Sequence, residues 1–341
     1  MKFSASQFRN LTLTTLLSIV PALHAQTTAT TTPVGVINVT IPAAANASTP
    51  SNTTLSIPLY APADYISTVA TIPSATEFTL TGAAWQAGQF AVASAPRFVR
   101  IKASTTVPAN IGRIFLVSAN TTNQLTVTLA DGVTDIHSVL SVGDVCEVLP
   151  ANTLGTVFGT TTPVLHADPD PALADNVYIL NAGEWEIYYH NGTNWRKSGG
   201  LGNKNDTIMY PDEGMFIVRV LTSPVVLTLR GTVPSTAERT DLAGTASTFL
   251  ANRFPVDTQL VNTGIHLTPD WVTGAAEDAD LVYAWNGGLS EWEIFYHNGT
   301  SWRKAGGLGN KDTTVIPSAT AIVVSRKNGT VTLSQPLPYT P

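Results

Sequence analysis

Cysteine is nearly absent from this sequence, in which Cys146 is the only one among 341 residues. A lone cysteine cannot form a disulfide within the chain, which excludes a disulfide-stapled fold and leaves the apolar core to hold the structure together. Cys146 lies in the strand-like run DVCEVLP (144–150), so we expect a buried thiol rather than a reactive or intermolecular one.

Charged residues are also scarce, at 12% of the chain, with 18 basic and 24 acidic side chains. The hydrophobic fraction of 43% is too high for a disordered protein. An acidic balance disfavours nucleic acid and anionic membranes as partners. The abundance of Thr, Ala, Gly, Pro and Val is typical of a β-rich extracellular protein with many turns.

Long apolar runs are missing, so the sequence predicts no membrane span in the mature chain. The stretch LTLTTLLSIV (11–20) lies between a basic start, with Lys2 and Arg9, and the small residues 22–25. This order predicts a secretory signal peptide over residues 1–25, and therefore a secreted, extracellular or outer-surface protein. Removing Lys2 and Arg9 leaves 16 basic against 24 acidic residues, a net charge of −8.

Helical periodicity is scarce as well, and AGQFAVASA (87–95) is the single weak helix candidate. Residues 55–150 contain short strand-like runs about ten residues apart, with turn residues between them. This spacing predicts an all-β protein whose N-terminal domain, residues 55–150, is an antiparallel β-sandwich or barrel. The runs are LSIPLY (55–60), EFTLTG (77–82), RFVRIKA (97–103), GRIFLVSA (112–119), QLTVTLADG (124–132) and DVCEVLP (144–150).

Residues 26–54 form a Thr/Ala/Pro-rich leader with no charged side chain and one β-like run, VGVINVTI (34–41). Two interpretations fit this composition. The leader is either a solvated linker or a strand that adds to a sheet in its own or a neighbouring subunit. The second interpretation makes self-assembly a hypothesis, with another copy of the chain as the partner.

One stretch of 19 residues occurs twice, as EWEIYYHNGTNWRKSGGLG (184–202) and EWEIFYHNGTSWRKAGGLG (291–309), with 16 identical positions. Both copies follow a His-x-x-Pro-Asp segment and continue into GLGNK. Such a duplication predicts two related β modules, residues 151–234 and residues 235–341.

Asn-Gly between two aromatic-rich runs predicts a β-hairpin with a two-residue type I′ turn in each module. In that register Tyr188 lies opposite Trp195, and Glu186 lies opposite Lys197 on the same face. The other face of the hairpin begins with Trp185.

The paired rings have two possible roles. They can form flat platforms that stack on the sugar rings of a polysaccharide, with arginines supplying hydrogen bonds, or they can fill the core of an all-β module. We favour the core, because Phe295 replaces Tyr188 in the second copy and one hydroxyl is therefore dispensable. The candidate platform residues are Tyr188, Trp195, Arg196, Phe295, Trp302 and Arg303.

His166, Asp168 and Asp170 form the sharpest metal candidate, because histidine and two carboxylates on alternate residues offer nitrogen and oxygen ligands. The second copy has Thr268 in place of Asp168, which favours a simple turn with an aspartate capping backbone N–H groups. We therefore predict no bound metal and no cofactor.

A secreted hydrolase is the catalytic alternative. It would use His190 or His297 as a base, although both precede Asn-Gly turns and we expect them to be exposed to solvent. It would otherwise use Glu184 and Glu186, or their counterparts Glu291 and Glu293, as a glycosidase pair. Lys197 neutralises Glu186 in the predicted hairpin, so a salt-paired surface is favoured over an active site.

TLGTVFG (153–159), ADNVY (174–178), the aromatic hairpin and the closing strands resemble a family of exported bacterial β-rich repeat proteins known mainly as a sequence model. The likeness covers most of residues 50–341. It implies export and β architecture, and it implies no catalytic residues.

We therefore expect an exported, non-enzymatic structural or adhesive protein of the bacterial cell exterior. The alternatives are a polysaccharide-binding protein that uses its repeated hairpins and a secreted hydrolase. The expected partners are other copies of the chain, other surface proteins or a polysaccharide.

Overall fold

The computed structural model describes residues 33–46, 48–129, 132–181 and 183–340. Strand accounts for 44% of the structure and helix for 6%, which confirms the predicted all-β class. The expected signal peptide, residues 1–25, and the leader up to residue 32 lie outside the described residues.

The strands are numbered in chain order. They are β1 (Val34–Ile41), β2 (Ser51–Leu55), β3 (Tyr65–Ser74), β4 (Glu77–Leu80), β5 (Ala91–Val92), β6 (Ala95–Ala103), β7 (Ile114–Asn120), β8 (Gln124–Thr128), β9 (Val145–Pro150), β10 (Asn152–Thr153), β11 (Asn176–Asn181), β12 (Glu184–His190), β13 (Trp195–Lys197), β14 (Ile208–Met209), β15 (Met215–Arg219), β16 (Val225–Thr232), β17 (Glu238–Leu242), β18 (Ser247–Ala251), β19 (Thr258–Gln259), β20 (Leu281–Asn286), β21 (Glu291–His297), β22 (Trp302–Lys304), β23 (Val315–Ile316), β24 (Ala321–Ser325) and β25 (Val331–Gln335).

Helices are few and short. The α-helix α1 spans Leu154–Phe158 and begins with a capping box in which Thr153 and Thr156 bond each other's backbone. The 3-10 helices span Pro108–Asn110, Ile136–Ser138, Leu260–Thr263 and Ile265–Leu267. Within the described ranges, no helix is long and apolar enough to cross a membrane.

Six strands close into an antiparallel barrel. They are hydrogen-bonded in the order β6, β7, β8, β4, β3 and β9, and β9 pairs back with β6. Side chains that face the barrel interior alternate along each strand, and the buried apolar residues of β7 and β8 are Phe115, Val117, Leu125 and Val127. Cys146 on β9 lies in the same core, which confirms the expected buried thiol.

Three details of this region differ from the prediction. Residues 87–94 form turns and the short strand β5, and residue 95 begins β6; the Phe90 N–H donates to the Asn120 side chain (2.8 Å) and fixes a turn in place of the predicted helix. Strand β2 ends at Leu55, just before Pro58 interrupts the predicted run. Strand β3 was not predicted, because its bulges break the period-two pattern.

The two modules share one topology. A five-stranded sheet has the order β13-β12-β11-β15-β2 in the first module and β22-β21-β20-β24-β18 in the second. Two small ribbons accompany each sheet: β1 with β16 and β10 with β14 in the first module, and β17 with β25 and β19 with β23 in the second.

The uncharged leader therefore supplies two strands of the first module. Strand β1 pairs along its whole length with β16, and its alternate side chains Ile37, Val39 and Ile41 face the module core. Strand β2 forms the edge of the five-stranded sheet beside β15. The structure replaces the linker interpretation with a strand that adds to a sheet of its own chain.

The barrel is an insertion within the first module. In the second module only residues 252–257 connect β18 to β19, whereas residues 56–151 connect the equivalent strands β2 and β10. The barrel strands, 65–150, lie inside this longer connection. The first module therefore consists of residues 34–60 and 151–232, where the predicted boundaries stood at 54 and 150.

The modules contact each other through reciprocal hydrogen bonds. The Ser56 N–H donates to the Ala319 carbonyl (2.9 Å), and the Ala251 N–H donates to the Asp212 carbonyl (3.0 Å). Strand pairing makes Ser56 equivalent to Ala251 and Asp212 equivalent to Ala319. The same bond is thus made in both directions, as in an isologous dimer interface.

A buried ion network joins the barrel to both modules. The Glu238 carboxylate of the second module forms ion pairs with Arg100 of the barrel (2.6 Å) and with Arg253 (2.5 Å). Tyr60, the last residue of the first module's N-terminal segment, donates its hydroxyl to the same carboxylate (3.0 Å). Burial raises the pKa of Tyr60 to about 12, so its hydroxyl remains a donor.

Candidate functional site

The hairpin loop in each module is longer than predicted. Residues 191–194 form a four-residue loop, with His190 paired to Trp195 and Tyr188 paired to Lys197. The second module repeats this pairing in β21 and β22. The predicted two-residue loop is therefore wrong, and the register differs from it by two residues.

The Asn191 side chain accounts for the longer loop. Its Oδ1 accepts hydrogen bonds from the backbone N–H groups of Thr193 (3.0 Å) and Asn194 (2.9 Å). A type I′ turn needs positive φ at both central residues, and only Gly192, at 92°, has it. Because side chains alternate with period two, a shift of two leaves each one on its predicted face.

One face of each hairpin packs into the module core. Trp195 and Trp302 are 0% exposed, and Tyr188 and Phe295 are also buried. The Trp195 Nε1–H donates to the Gly159 carbonyl (2.8 Å). These four rings occupy the core and present no open surface for a sugar to stack on.

The two arginines of the predicted platform lie on the opposite face of their hairpins. Arg196 pairs with Tyr189, and Arg303 pairs with Tyr296. All four side chains are partly exposed. The structure thus separates the arginines from the rings with which the sequence grouped them.

The hairpin histidines are less exposed than expected. His190 is fully buried, with its Nε2 2.7 Å from the Thr160 carbonyl and its ring edge-on to Trp195. His297 is partly buried and stacks on His266, with ring centroids 4.8 Å apart. The expected solvent-exposed turn histidine is wrong for His190, because the loop before β11 covers it.

His166, Asp168 and Asp170 form turns. The Asp168 carboxylate accepts the Asp170 N–H (2.8 Å), and the Asp170 carboxylate accepts the Ala172 N–H (2.9 Å). The His166 backbone N–H donates to Asp175 (2.8 Å). Among the residues that the structure describes, no three histidine, cysteine or acidic side chains converge as a metal site would require.

The hairpin carboxylates are salt-paired. Glu186 bonds Lys197 (2.6 Å) and the Tyr188 hydroxyl, and Glu293 bonds Lys304 (2.8 Å). The hydrogen bond from each lysine is the main cause that lowers the pKa of Glu186 and of Glu293. A glycosidase acid needs the opposite shift.

The second face of each hairpin leads to an aromatic cluster at the contact between the modules. Trp185 and Trp292 are equivalent residues of the two copies, and both rings meet Phe216 on β15. Phe249 of β18 stacks on Phe216, with centroids 5.3 Å apart. The Trp285 Nε1–H also donates to a carbonyl of the first module, that of residue 52 (2.9 Å).

An open cavity of about 550 Å³ lies over this cluster. Trp185 is 44% exposed beside it, although tryptophan usually buries most of its surface. The cavity lies in the volume range of small-ligand sites. Its wall is mainly apolar and is formed by Leu180, Gly183, Trp185, Ala246, Ser247, Phe249, Tyr283, Trp292 and Val323.

A second cavity of about 440 Å³ continues from the first and shares Leu180, Gly183, Ser247 and Phe249 with it. Its other lining residues are mostly polar or small: Gly132, Asp212, Glu213, Gly214, Thr240, Asp241, Ala243, Thr248 and Thr330. We call the two cavities together the inter-module cleft. The cleft offers aromatic faces at one end and hydroxyl and carboxylate oxygens at the other.

One of the three carboxylates at the polar end, that of Asp241, is fixed in place. Asp241 pairs with Arg113 of the barrel (3.0 Å) and accepts a hydrogen bond from the Thr332 hydroxyl. The Arg113 guanidinium also donates to Thr332 (3.0 Å). A preorganised oxygen of this kind can accept a ligand hydroxyl without a large ordering cost.

The cleft could not be found from the hairpin alone, because Trp185 meets Phe249 only where the modules pack. The one local signal was the placement of Trp185 on the face opposite the core rings. Comparison with known proteins assigns no role to these residues: no family model, no curated protein and no solved structure matches this chain.

Proposed function

We propose that this chain is an exported, non-enzymatic adhesive protein that binds a polysaccharide in its inter-module cleft. One observation carries the proposal: Trp185 is 44% exposed beside a cavity that its counterpart Trp292 also lines. The C–H faces of sugar rings are apolar, and they pack on flat aromatic rings. The polar end of the cleft supplies partners for sugar hydroxyls.

A hydrolytic role has less support. One member of each proposed carboxylate pair, Glu186 or Glu293, is bound to a lysine, and its pKa is lowered rather than raised. His190 has both ring nitrogens engaged, by the Thr160 carbonyl and by the Gly192 N–H. Binding without cleavage is therefore the favoured activity. Export rests on the expected signal peptide over residues 1–25.

Retention on polysaccharides tests the proposal. The chain from Gln26 onward is applied to a panel of insoluble and immobilised polysaccharides, and binding is followed by depletion and tryptophan fluorescence. Trp185→Ala is expected to weaken binding roughly thirtyfold, the effect of losing a central aromatic anchor. Tyr189→Ala is the matched control, since it removes a ring from the same hairpin face outside the cleft lining.

Two results would contradict the proposal. If the wild-type chain binds no member of the panel, the ligand is not a polysaccharide of these classes. If Trp185→Ala and Tyr189→Ala bind equally well, the cleft is not the site. Chemical denaturation of both variants shows whether a loss of binding reflects a loss of fold.

A further inference from the structure

The tip of each duplicated hairpin carries an arrangement that the proposed function does not use. In the first module the Gly192 N–H donates to His190 Nδ1 (3.1 Å). The carboxamide oxygen of Asn191 accepts two backbone N–H groups, from Thr193 (3.0 Å) and Asn194 (2.9 Å). One Asn-Gly peptide thus lies next to a basic imidazole nitrogen and to two backbone N–H groups that donate to the asparagine Oδ1.

These groups match the needs of one known reaction of the Asn-Gly sequence. In succinimide formation the backbone nitrogen of the glycine attacks Cγ of the preceding asparagine. That nitrogen must lose its proton, and an imidazole that already accepts the N–H is placed as a general base. Negative charge develops on the asparagine Oδ1, where two backbone N–H groups act as an oxyanion hole.

The hydrogen bonds of His190 also favour the required tautomer. A carbonyl oxygen only accepts, so the 2.7 Å contact between His190 Nε2 and Thr160 places the ring proton on Nε2. Nδ1 is then unprotonated and free to accept the Gly192 N–H. Full burial of the ring keeps water from competing for that nitrogen.

We propose that the His-Asn-Gly turn of each module is an autocatalytic deamidation site, at Asn191 and at Asn298. His Nδ1 takes the glycine amide proton as the glycine N–Cγ bond forms. The tetrahedral intermediate collapses with cleavage of the Cγ–Nδ2 bond, and the imidazolium returns the proton to the departing ammonia. Water then opens the succinimide to aspartate or isoaspartate, which adds one negative charge to each hairpin tip.

The second module has the same arrangement in a looser form. The Gly299 N–H lies 3.3 Å from His297 Nδ1, and Asn298 Oδ1 accepts from Thr300 (3.0 Å) and Ser301 (2.9 Å). Because the contact to the base is longer and His297 is only partly buried, we expect Asn298 to react more slowly than Asn191.

The chain contains its own control. Asn286 is also followed by glycine, and its Oδ1 accepts the N–H groups of Gly288 (3.1 Å) and Leu289 (3.2 Å). The residue before it is Trp285, whose indole nitrogen can only donate. Asn286 therefore has the two donors to its Oδ1 and lacks a preceding imidazole that could accept the glycine N–H, and its Nδ2–H donates to the Glu293 carboxylate (3.1 Å).

Peptide mapping by mass spectrometry measures the three rates in one sample of the folded chain at neutral pH. The readouts are loss of ammonia, then gain of water, and the isoaspartate content of each peptide. Asn191 is expected to react fastest, Asn298 next and Asn286 at least about tenfold more slowly than Asn191, a conservative figure for general base catalysis. In denaturant the three rates should converge.

The variant His297→Gln separates the base from the fold. It is expected to slow Asn298 about tenfold in the folded protein while Asn191 in the same molecule keeps its rate. We prefer this variant to His190→Gln, because the buried His190 supports its module. If Asn286 in the folded chain reacts as fast as Asn191, or if His297→Gln leaves Asn298 unchanged, the proposal is overturned.

Discussion

Trp185 and Trp292 occupy the same place in the two copies of the hairpin, and both rings meet Phe216, at centroid distances of 6.0 and 5.3 Å. One phenylalanine of the first module therefore receives a tryptophan from each module. The related surfaces pack on each other, and Phe216 lies at their contact. The same packing creates the cleft and holds the modules together.

Phe216→Ala is expected to destabilise the protein by up to about 3 kcal/mol, less than the roughly 3–5 kcal/mol for a fully buried aromatic ring, because Phe216 is partly exposed. The free energy of unfolding from denaturant titration measures the loss. Tyr189→Ala, on the same sheet face outside the cluster, should cost much less. Equal losses in the two variants would mean that Phe216 does not hold the modules together.

Glu238→Gln should be among the most damaging single changes in the chain. It leaves Arg100 and Arg253 buried, at 4% and 1% exposure, with less compensating charge. Breaking a buried ion pair in this way costs about 3–5 kcal/mol. Glu293→Gln removes a more exposed pair, worth at most about 1 kcal/mol, and is the control. Similar denaturation midpoints for both variants would contradict the role given to the network.

Acid should destabilise the second module through His266 and His297. Burial is the main cause that lowers the pKa of each, and for His266 the neighbouring His297 adds to it, while Asp312 opposes both shifts. Below about pH 6.5 the unfolded chain binds protons that the folded chain does not, so stability falls with pH through this window.

Thermal unfolding between about pH 8 and pH 5 measures this effect. His266→Gln should flatten the dependence in the acid half of that range, because one of the two groups no longer titrates. Above about pH 6.5, any difference in Tm between His266→Gln and the wild type should come from changed packing alone. A variant that keeps the wild-type pH slope would show that other groups cause it.

Cys146 should be inert while the barrel is intact. It is 1% exposed, and burial raises the pKa of its thiol far above neutrality, so little thiolate forms. A thiol reagent such as Ellman's reagent is expected to react only after denaturant opens the barrel. Rapid reaction of the native chain would mean that β9 separates readily from its neighbours.

Local patterns predicted the parts of this fold that depend on neighbouring residues. Alternation in β7 and β8 indicated half-buried strands, and the repeated 19 residues indicated related modules. Asn-Gly correctly marked the hairpins, but not their register. The hydrogen bonds from the Thr193 and Asn194 N–H groups to the Asn191 side chain set the loop length. A register predicted from cross-strand pairs alone does not take these hydrogen bonds into account.

Contacts between distant residues could not be predicted in the same way. His190 is buried because the Thr160 carbonyl reaches it from 30 positions away. Trp185 borders a cleft because Phe249 of the other module packs beside it. The sequence left two interpretations of the leader open for the same reason, because β1 forms a strand by pairing with the distant β16.

The inserted barrel has a consequence for the order in which the chain can fold. Strand β1 pairs with β16 across as many as 198 residues, since Val34 lies opposite Thr232. At about 5–20 residues per second, a ribosome needs roughly 10–40 s to supply that partner. All barrel strands emerge within this interval and can close first. Strand β1 thus stays unpaired until β16 has been synthesised. The first module, although its synthesis begins first, is completed only after the barrel inserted within it.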